Sequence, residues 1–515
     1  MARNYKSIGK EIALTGFFSE YLPPCFSLNS KVLFYPPPAD CDLIKPLGFT
    51  MSRYNANDSR RTIFIPEIGS YLSAHMFMSE NNIYKELIQF TQTENYSFSP
   101  ILGENSSIMR HEQSYEKTEE SPTSEYIKNI SDKLIRSAGA KKILRLDISN
   151  CYSSFYMHMI PAIMLGTEIA EAEYDKSLKR KIDPSIVVDP QYDLYSKLDE
   201  VIRRQNLNRT NGLLPGILSS KMIAEALLTR IDKELAANKS NFVRYVYDYE
   251  VFLYESNEEA VISVFTRILR KYGFTLNFEK NQIVDFPFYI VENFEKILNK
   301  KLEDEIDSSE LIDIFNRFLL IEKSGTKGAV RYLLKSLEKY DVRVEKPLLY
   351  KSYLLTIMSN EPRSLSKACS ILISGKEKYG LLPSDKKTII NMLSQNIKNG
   401  NDLETVWLLY LLIETNNLSK GDSIVIDLLN SSSELTWVML LRKQLLNDSE
   451  LDLLKERADS WIMLYELYQG GYINESTFVQ KLNLNKNFSM SQKFKEKGIH
   501  FVYYLQSLPH IIVVT

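Results

Sequence analysis

The chain has 515 residues, 44% of them hydrophobic, which is enough for a large core and, by length, roughly two to four domains. Its 63 Lys+Arg against 65 Asp+Glu leave a formal net charge of −2, so the global basic footprint of a non-specific nucleic-acid binder is excluded and any such contact must be local. Cys25, Cys41, Cys151 and Cys369 lie far apart with no CxxC, and the five histidines form no zinc motif, which together indicate a reduced, cytoplasmic compartment.

The opening residues, Met-Ala-Arg-Asn-Tyr-Lys-Ser-Ile, lack the apolar core of a secretory signal. No segment approaches the ~18 apolar residues of a membrane span, the longest runs resembling 407–413. Pro-rich turns at 22–26, 35–38 and 65–67 exclude long helices up to about residue 66. Residues 103–126, rich in Glu, Ser and Thr, read as a surface loop.

A helical pattern over 127–136 leads through Gly139 into an apolar strand at 143–148 that delivers Asp147 near its end. The turn Asn-Gly-Leu-Leu-Pro-Gly at 211–216 precedes a helical stripe over 217–235. Residues 244–254 read as an apolar and aromatic strand interrupted by Asp248, with Tyr247 just before it. An ionised carboxylate in such a run is costly to bury unless a cation binds it. A helix over 258–272 closes on Gly273, and strands at 274–278 and 282–288 complete an alternating α/β or α+β core.

Beyond about residue 305 strand patterns fade. Helical stripes recur at 309–321, 328–339, 347–358, 364–373, 385–397, 404–413, 423–429, 434–446, 451–468 and 476–481, roughly 30–45 residues per pair, as in an irregular α-repeat stack. Trp407, Trp437 and Trp461 all fall here and are expected in its core.

Two strands that each present an Asp at adjacent positions of a sheet can hold divalent metal for phosphoryl or nucleotidyl transfer. The order of Asp147, the 212–216 turn, the acid hairpin at 245–249 and Gly-Phe-Thr-Leu-Asn-Phe-Glu-Lys at 273–280 resembles the polymerase palm of the reverse transcriptase superfamily. Within it, the chain is similar to the Abi (abortive infection) group of phage-defence polymerases, over roughly residues 10–290, with a weaker echo at 325–331 and in the helical part. The implied fold is α/β plus all-α: reverse-transcriptase-like fingers and palm, mixed α+β, over 1–300, then an α-helical, HEAT-like repeat domain over 301–515 in place of a thumb.

Carried over residue by residue, Asp147-Ile-Ser-Asn-Cys-Tyr152 looks like the first palm motif. Asp147 would be a metal ligand and Tyr152 the ring against the sugar's 2′ face. Cys151 stands where the group has Phe. Thr210-Asn-Gly-Leu-Leu-Pro-Gly-Ile resembles the second, with Gly212, Pro215 and Gly216 lining the nucleotide pocket. Arg244-Tyr-Val-Tyr-Asp-Tyr matches the group's usual Arg-Tyr-Val-Asp-Asp-Tyr, which keeps Asp248 as a metal ligand but places Tyr247 where a second Asp belongs. A phenol with a pKa of about 10 does not replace a carboxylate on a hard cation. Glu250 is not at the missing position. Lys280 would lie near the leaving pyrophosphate, and Arg60, Arg61 and Lys142 resemble the finger basics that hold a triphosphate. Taken singly, each of these residues is ordinary: Asp147 a strand-end cap, the 212–216 turn punctuation, Lys280 and the Arg60-Arg61 pair solvated surface.

The resemblance implies Mg²⁺ or Mn²⁺ in a two-metal site weakened by Tyr247, dNTP substrates, and template-independent DNA synthesis primed by a protein tyrosine. The DNA product would stay attached to that Tyr within a homo-oligomer, a trimer or hexamer. With 31 tyrosines the primer is open; Tyr5, Tyr21 and Tyr35 are candidates. Two alternatives stand beside this reading: a catalytically silent palm whose helical domain binds a phage or host protein, and a templated RNA-directed DNA polymerase.

Overall fold

The computed structural model describes residues 4–38, 40–52, 60–103, 107–109, 126–255, 257–289, 294–298, 305–340, 342–430 and 433–504. In chain order the first part runs α1 (Tyr5–Thr15), β1 (Leu47–Thr50), β2 (Thr62–Ile65), α2 (Ile68–Glu80), α3 (Ile83–Thr91), α4 (Tyr126–Arg136), β3 (Lys142–Asp147), α5 (Cys151–Ser154), α6 (Ala162–Leu165), α7 (Thr167–Arg180), α8 (Pro190–Arg204), α9 (Leu218–Ala237), β4 (Phe242–Tyr245), β5 (Asp248–Leu253), α10 (Glu258–Lys271) and β6 (Gln282–Asp285). From there on, among the described residues, the regular elements are helices: α11 (Phe294–Leu298), α12 (Ser308–Lys323), α13 (Ala329–Lys339), α14 (Pro347–Asn360), α15 (Pro362–Ser374), α16 (Lys376–Tyr379), α17 (Pro383–Lys398), α18 (Asp402–Glu414), α19 (Ile424–Leu429), α20 (Glu434–Arg442), α21 (Asp448–Arg457), α22 (Trp461–Gln469), α23 (Glu475–Leu482) and α24 (Phe488–Glu496). A mixed α+β part followed by a helical part is therefore the architecture.

β1 and β2 form an antiparallel hairpin, and β4-β5-β3-β6, in that order, form a four-stranded antiparallel sheet. Strand alternation divides the sheet's residues between two faces. Leu144, Leu146, Tyr249 and Val251 pack on one side into a core shared with α9, whose Met222, Ile223, Ala226, Leu227 and Ile231 are buried. Ile143, Val243 and Phe252 form a small cluster on the other. That second face is the one on which Ile143↔Phe252, Arg145↔Glu250 and Asp147↔Asp248 stand paired.

A second, larger core joins residues 17–72 to the helical part, from Phe294 to Tyr504. Its centre is α18, buried from Leu403 to Glu414 on every side, as a helix apolar all round must be. All three tryptophans are buried, and two of them reach back to the N-terminal part: Trp407 Nε1 donates to the Tyr21 carbonyl at 2.8 Å and Trp461 Nε1 to that of Ile65 at 3.2 Å.

Several sequence expectations shift. The strand foreseen over 244–254 is two strands turning at Val246-Tyr247, because Val246 takes a left-handed φ of 55°. Residues 274–278 make no strand, only a bridge from Leu276 to Ile148. The stripe over 451–468 is two helices, broken where Ser460 caps α22 through Met463 N. α1, ending well ahead of Pro23, shows that prolines after residue 20 do not forbid an earlier helix. The loop foreseen at 103–126 lies mostly outside the described residues.

Candidate functional site

The β4–β5 turn is fixed from below. Arg244, fully buried, donates to both oxygens of Glu225 at 2.9 and 3.0 Å, to Asp232 at 2.7 Å, and to the Val246 carbonyl at 2.6 Å. Tyr249 Oη donates to Asp232 at 3.0 Å. Glu225 and Asp232 sit two turns apart on one face of α9, so helix and hairpin are joined by a buried, charge-assisted network. One guanidinium faces two carboxylates, and burial, with Glu225 adding to it, pushes the Asp232 pKa up while Arg244 pulls it down.

Above this base Asp147 and Asp248 are cross-strand partners. Asp147 is 7% exposed, whereas Asp248 opens to solvent at the start of β5. Crowding by protein and then the Asp147 carboxyl, through a shared hydrogen bond and its charge, push the Asp248 pKa up to about 7. Lys280 and Arg61 act in the opposite direction. Lys280 Nζ stands 3.4 Å from Asp147 Oδ2. The chain brings it there by laying 273–280 along the end of β3: Ser149 N donates to the Thr275 carbonyl at 2.9 Å and Asn277 N to that of Asp147 at 2.8 Å.

Tyr247 is half-buried beside this pair. Arg61 donates to its hydroxyl and lies over its ring, the guanidinium carbon 5.7 Å from the centroid. Burial raises the phenol's pKa and Arg61 opposes the rise. Tyr152 packs against the same core; burial and then the neighbouring Cys151 and Tyr247 push its phenol far up.

The 212–216 turn is seated next to these residues. Gly212 N donates to Phe155 O at 2.9 Å, Leu213 N to Tyr152 O at 3.0 Å, and Pro215 O accepts from Phe64 N at 2.9 Å. Gly212 and Gly216 both need positive φ, 94° and 109°, and a Cβ on Gly216 would meet Ile63 Cβ at 3.1 Å. The structure thus assembles Asp147, Asp248, Tyr247, Lys280, Arg61, Tyr152, Gly212, Pro215 and Gly216 into one region.

Two foreseen phosphate contacts lie elsewhere. Lys142 pairs with Glu258 at 2.9 Å at the far end of β3, about 16 Å of strand from Asp147. Arg60 is bound bidentately to Glu404 of α18 at 2.9 and 2.9 Å, because successive residues of an extended chain face opposite ways and Arg61 takes the side of the β4–β5 turn. Glu250 is occupied by Lys133 at 3.0 Å and Tyr289 at 2.8 Å. Tyr5 opens α1 against the core shared by the four-stranded sheet and α9, and Tyr35 meets the Phe494 ring at 6.1 Å. Tyr21 packs, partly buried, against the larger core.

Glu225, Asp232 and Glu404 escaped the sequence reading. The first two carry a signal in hindsight, carboxylates embedded in the buried stripe of α9; Glu404, far along the chain, carries none.

Whether the acids suit a metal is decided by their donor chemistry. Two facing carboxylates match one divalent cation completed by phosphate oxygens and water. The third position holds a phenol already bound by a cation, so a two-metal arrangement lacks a ligand there. Among the described residues no group of three or more His, Cys, Asp or Glu side chains gathers.

The fold and site thus define a mixed α+β chain with an acid-bearing antiparallel sheet and a helical C-terminal part. No family model matches it, and no curated protein does. Among solved structures it is similar to apo telomerase from Candida tropicalis, with 10% identity over 79% of this chain and 70% of that one and a TM-score of 0.33. It is also similar to telomerase from Candida albicans with a TWJ fragment of telomeric RNA (12% identity, 71% and 66% covered, TM-score 0.29) and to the corresponding Candida tropicalis complex (10%, 77% and 64%, 0.32). These likenesses are distant in sequence and in geometry. Among the described residues no helix is long and apolar enough to cross a membrane.

Proposed function

We propose that this chain is a nucleotidyltransferase of the reverse-transcriptase kind, impaired by Tyr247. The observation that carries the reading is the cross-strand pair Asp147–Asp248 with Lys280 and Arg61 beside it. Asp147 and Asp248 would hold a Mg²⁺ or Mn²⁺ ion, which when bound supplies positive charge to the reacting phosphate oxygens. Arg61 and Lys280 bind and orient a triphosphate, the guanidinium by its planar fork and the ammonium as a point charge. The 212–216 turn would let backbone approach the nucleotide, and the Tyr152 ring would meet the sugar. The net reaction is attack of a hydroxyl on the α-phosphorus of a dNTP with departure of pyrophosphate. In finer terms the chain would act in the cytoplasm of a phage-challenged bacterium, without a template, from a tyrosine of its own homo-oligomer, with a fingers–palm domain to about residue 300 and a helical domain beyond it.

Incubating the purified protein with labelled dNTPs and Mg²⁺ or Mn²⁺, beside Tyr247→Asp, tests this. Protein-attached nucleotide ladders in intact mass from the variant, weaker or absent from the parent, are expected. No product from either sinks the polymerase reading, and product that follows an added template shifts it to templated synthesis. A second reading, a silent palm that scaffolds a helical partner-binding domain, is favoured by one observation: Tyr247 engages Arg61, the cation a triphosphate would need.

A further inference from the structure

Arg60 and Arg61 are neighbours with opposite partners. Arg60 grips Glu404 in the first turn of α18 with two hydrogen bonds of 2.9 Å and donates to Met51 O at 3.0 Å. The pair is nearly closed to solvent, side-chain exposures being 14% for Arg60 and 2% for Glu404. One turn of the same helix also holds the other strand of the hairpin. Asp402 Oδ2 accepts from Thr50 N at 2.8 Å and from Thr50 Oγ1 at 3.0 Å, while Asp402 N donates back to Thr50 Oγ1 at 3.1 Å. Met51 N closes the hairpin on Arg61 O at 2.8 Å. Arg61 then projects to the palm, onto Tyr247 beside the acid pair.

Every link from α18 to Tyr247 is therefore a direct contact, the first half of the route is buried, and the last step from Arg61 to Asp248 is electrostatic. α18 is also buried from Leu403 to Glu414 and packed against α15, α17 and α20, and close-packed interiors yield little. Buried, charge-assisted bidentate contacts fix a backbone far better than solvent-exposed pairs do. A guanidinium on a flexible side chain gains geometry only if its backbone is held, and here the holding group lies outside the palm.

We infer that Glu404 and Asp402 are positioning residues for Arg61: the helical region, through the β1–β2 hairpin, sets the guanidinium that faces the acid pair and thereby the grip on a nucleotide triphosphate. The ligand rests on the nucleotidyl-transfer reading; the coupling between α18 and the β4–β5 turn does not. A shift of α18 caused by anything bound to the helical region would reach the acids by this route.

The experiment uses the full chain and dATP with Mn²⁺, titrated calorimetrically, with a parallel hydrogen-exchange measurement on the β4–β5 turn. Glu404→Gln and Arg61→Ala should each weaken dATP binding on the order of tenfold, the value of one charge-assisted contact. Because they act through one group, the double variant should be no weaker than the weaker-binding single. Thr50→Val, which leaves the ion pair intact, should act in the same direction by a smaller factor. Arg363→Met, which breaks the 2.7 Å pair of Arg363 with Glu322 between α15 and α12, serves as the control and should leave binding unchanged. In the absence of nucleotide, amides at 245–249 should exchange faster in Glu404→Gln than in Arg363→Met. Parent-like binding by Glu404→Gln, or additive losses in the double variant, overturns the inference. So does unchanged exchange at 245–249, whether or not dATP binds. Failure of the parent and of Tyr247→Asp to bind dATP while exchange still responds would instead defeat the nucleotide reading and leave the coupling standing.

Discussion

Replacing Arg244 by Met probes what holds the acid hairpin. The substitution keeps much of the apolar stem but removes the guanidinium that contacts Glu225 at 2.9 and 3.0 Å, Asp232 at 2.7 Å and the Val246 carbonyl at 2.6 Å. Glu225 and Asp232 are 3% and 1% exposed, so both carboxylates would be left without their counter-ion and out of reach of water. Breaking a buried pair in this way costs about 3–5 kcal/mol. At about 1 °C per kcal/mol for a chain of this length, scanning calorimetry should show Tm lowered by roughly 3–5 °C. The pH dependence follows from Asp232. Burial already raises its folded pKa, and loss of Arg244 raises it further. A folded pKa above the unfolded value gives stability that is full below about pH 4 and is lost as pH rises through the folded pKa. The deficit of Arg244→Met should therefore be smaller at pH 5 than at pH 8. The triple variant Arg244→Met/Glu225→Leu/Asp232→Leu should recover most of the loss, since apolar replacement of a whole buried ion network is often close to neutral. A single variant melting within about 1 °C of the parent at neutral pH would refute the reasoning.

Tyr247→Asp should place a third carboxylate beside Asp147 and Asp248, lowering Tm in chelator and raising it by more than in the parent when Mg²⁺ or Mn²⁺ is added, as differential scanning fluorimetry will read. Asp248, with its pKa pushed up to about 7, contributes stability below about pH 4 that fades as pH rises through about 7. In chelator the parent should accordingly lose Tm relative to Asp248→Asn between pH 5 and 8, and parallel Tm curves would contradict the shared proton. Gly16→Ala should cost about 1–3 kcal/mol by denaturant titration, because its Cβ would stand 2.4 Å from Leu218 Cβ and 2.5 Å from Ile12 O where α1 meets α9.

The acid pair was legible because strand chemistry is local: apolar runs ending at Asp147 and resuming after Asp248 specify both strands, and antiparallel pairing then sets the two carboxyls face to face. Lys280 followed for the same reason, a short chain path from α10 back to the end of β3. Val246 hid the turn, since a β-branched residue at positive φ is disfavoured locally and is accepted here because Arg244 binds its carbonyl from beneath. Arg60 shows a harder limit. It adjoins Arg61 in the same short polar stretch, yet its partner Glu404 lies 344 residues away, and only the long-range packing of α18 against β1 decides which of the two arginines meets α18.

The charges around the acid pair set what Tyr247 contributes when no divalent ion is supplied. Asp147 and Asp248 are answered locally by Lys280 and Arg61, so the region is near neutrality without any metal, and the proton that Asp248 holds up to about pH 7 relieves the repulsion between the two carboxyls. An Asp at 247 would tip the balance to three carboxylates against the same two cations, a set that repels itself until a divalent ion enters. Tyr247 relieves that repulsion and, by engaging Arg61, also ties the cation nearest the turn. Metal affinity and metal-free stability are thus opposed at a single position. Tyr247→Asp should gain the first and lose the second, whereas Tyr247→Phe, which keeps the ring under Arg61 but removes the hydroxyl that Arg61 donates to, should leave metal affinity low while strengthening triphosphate binding.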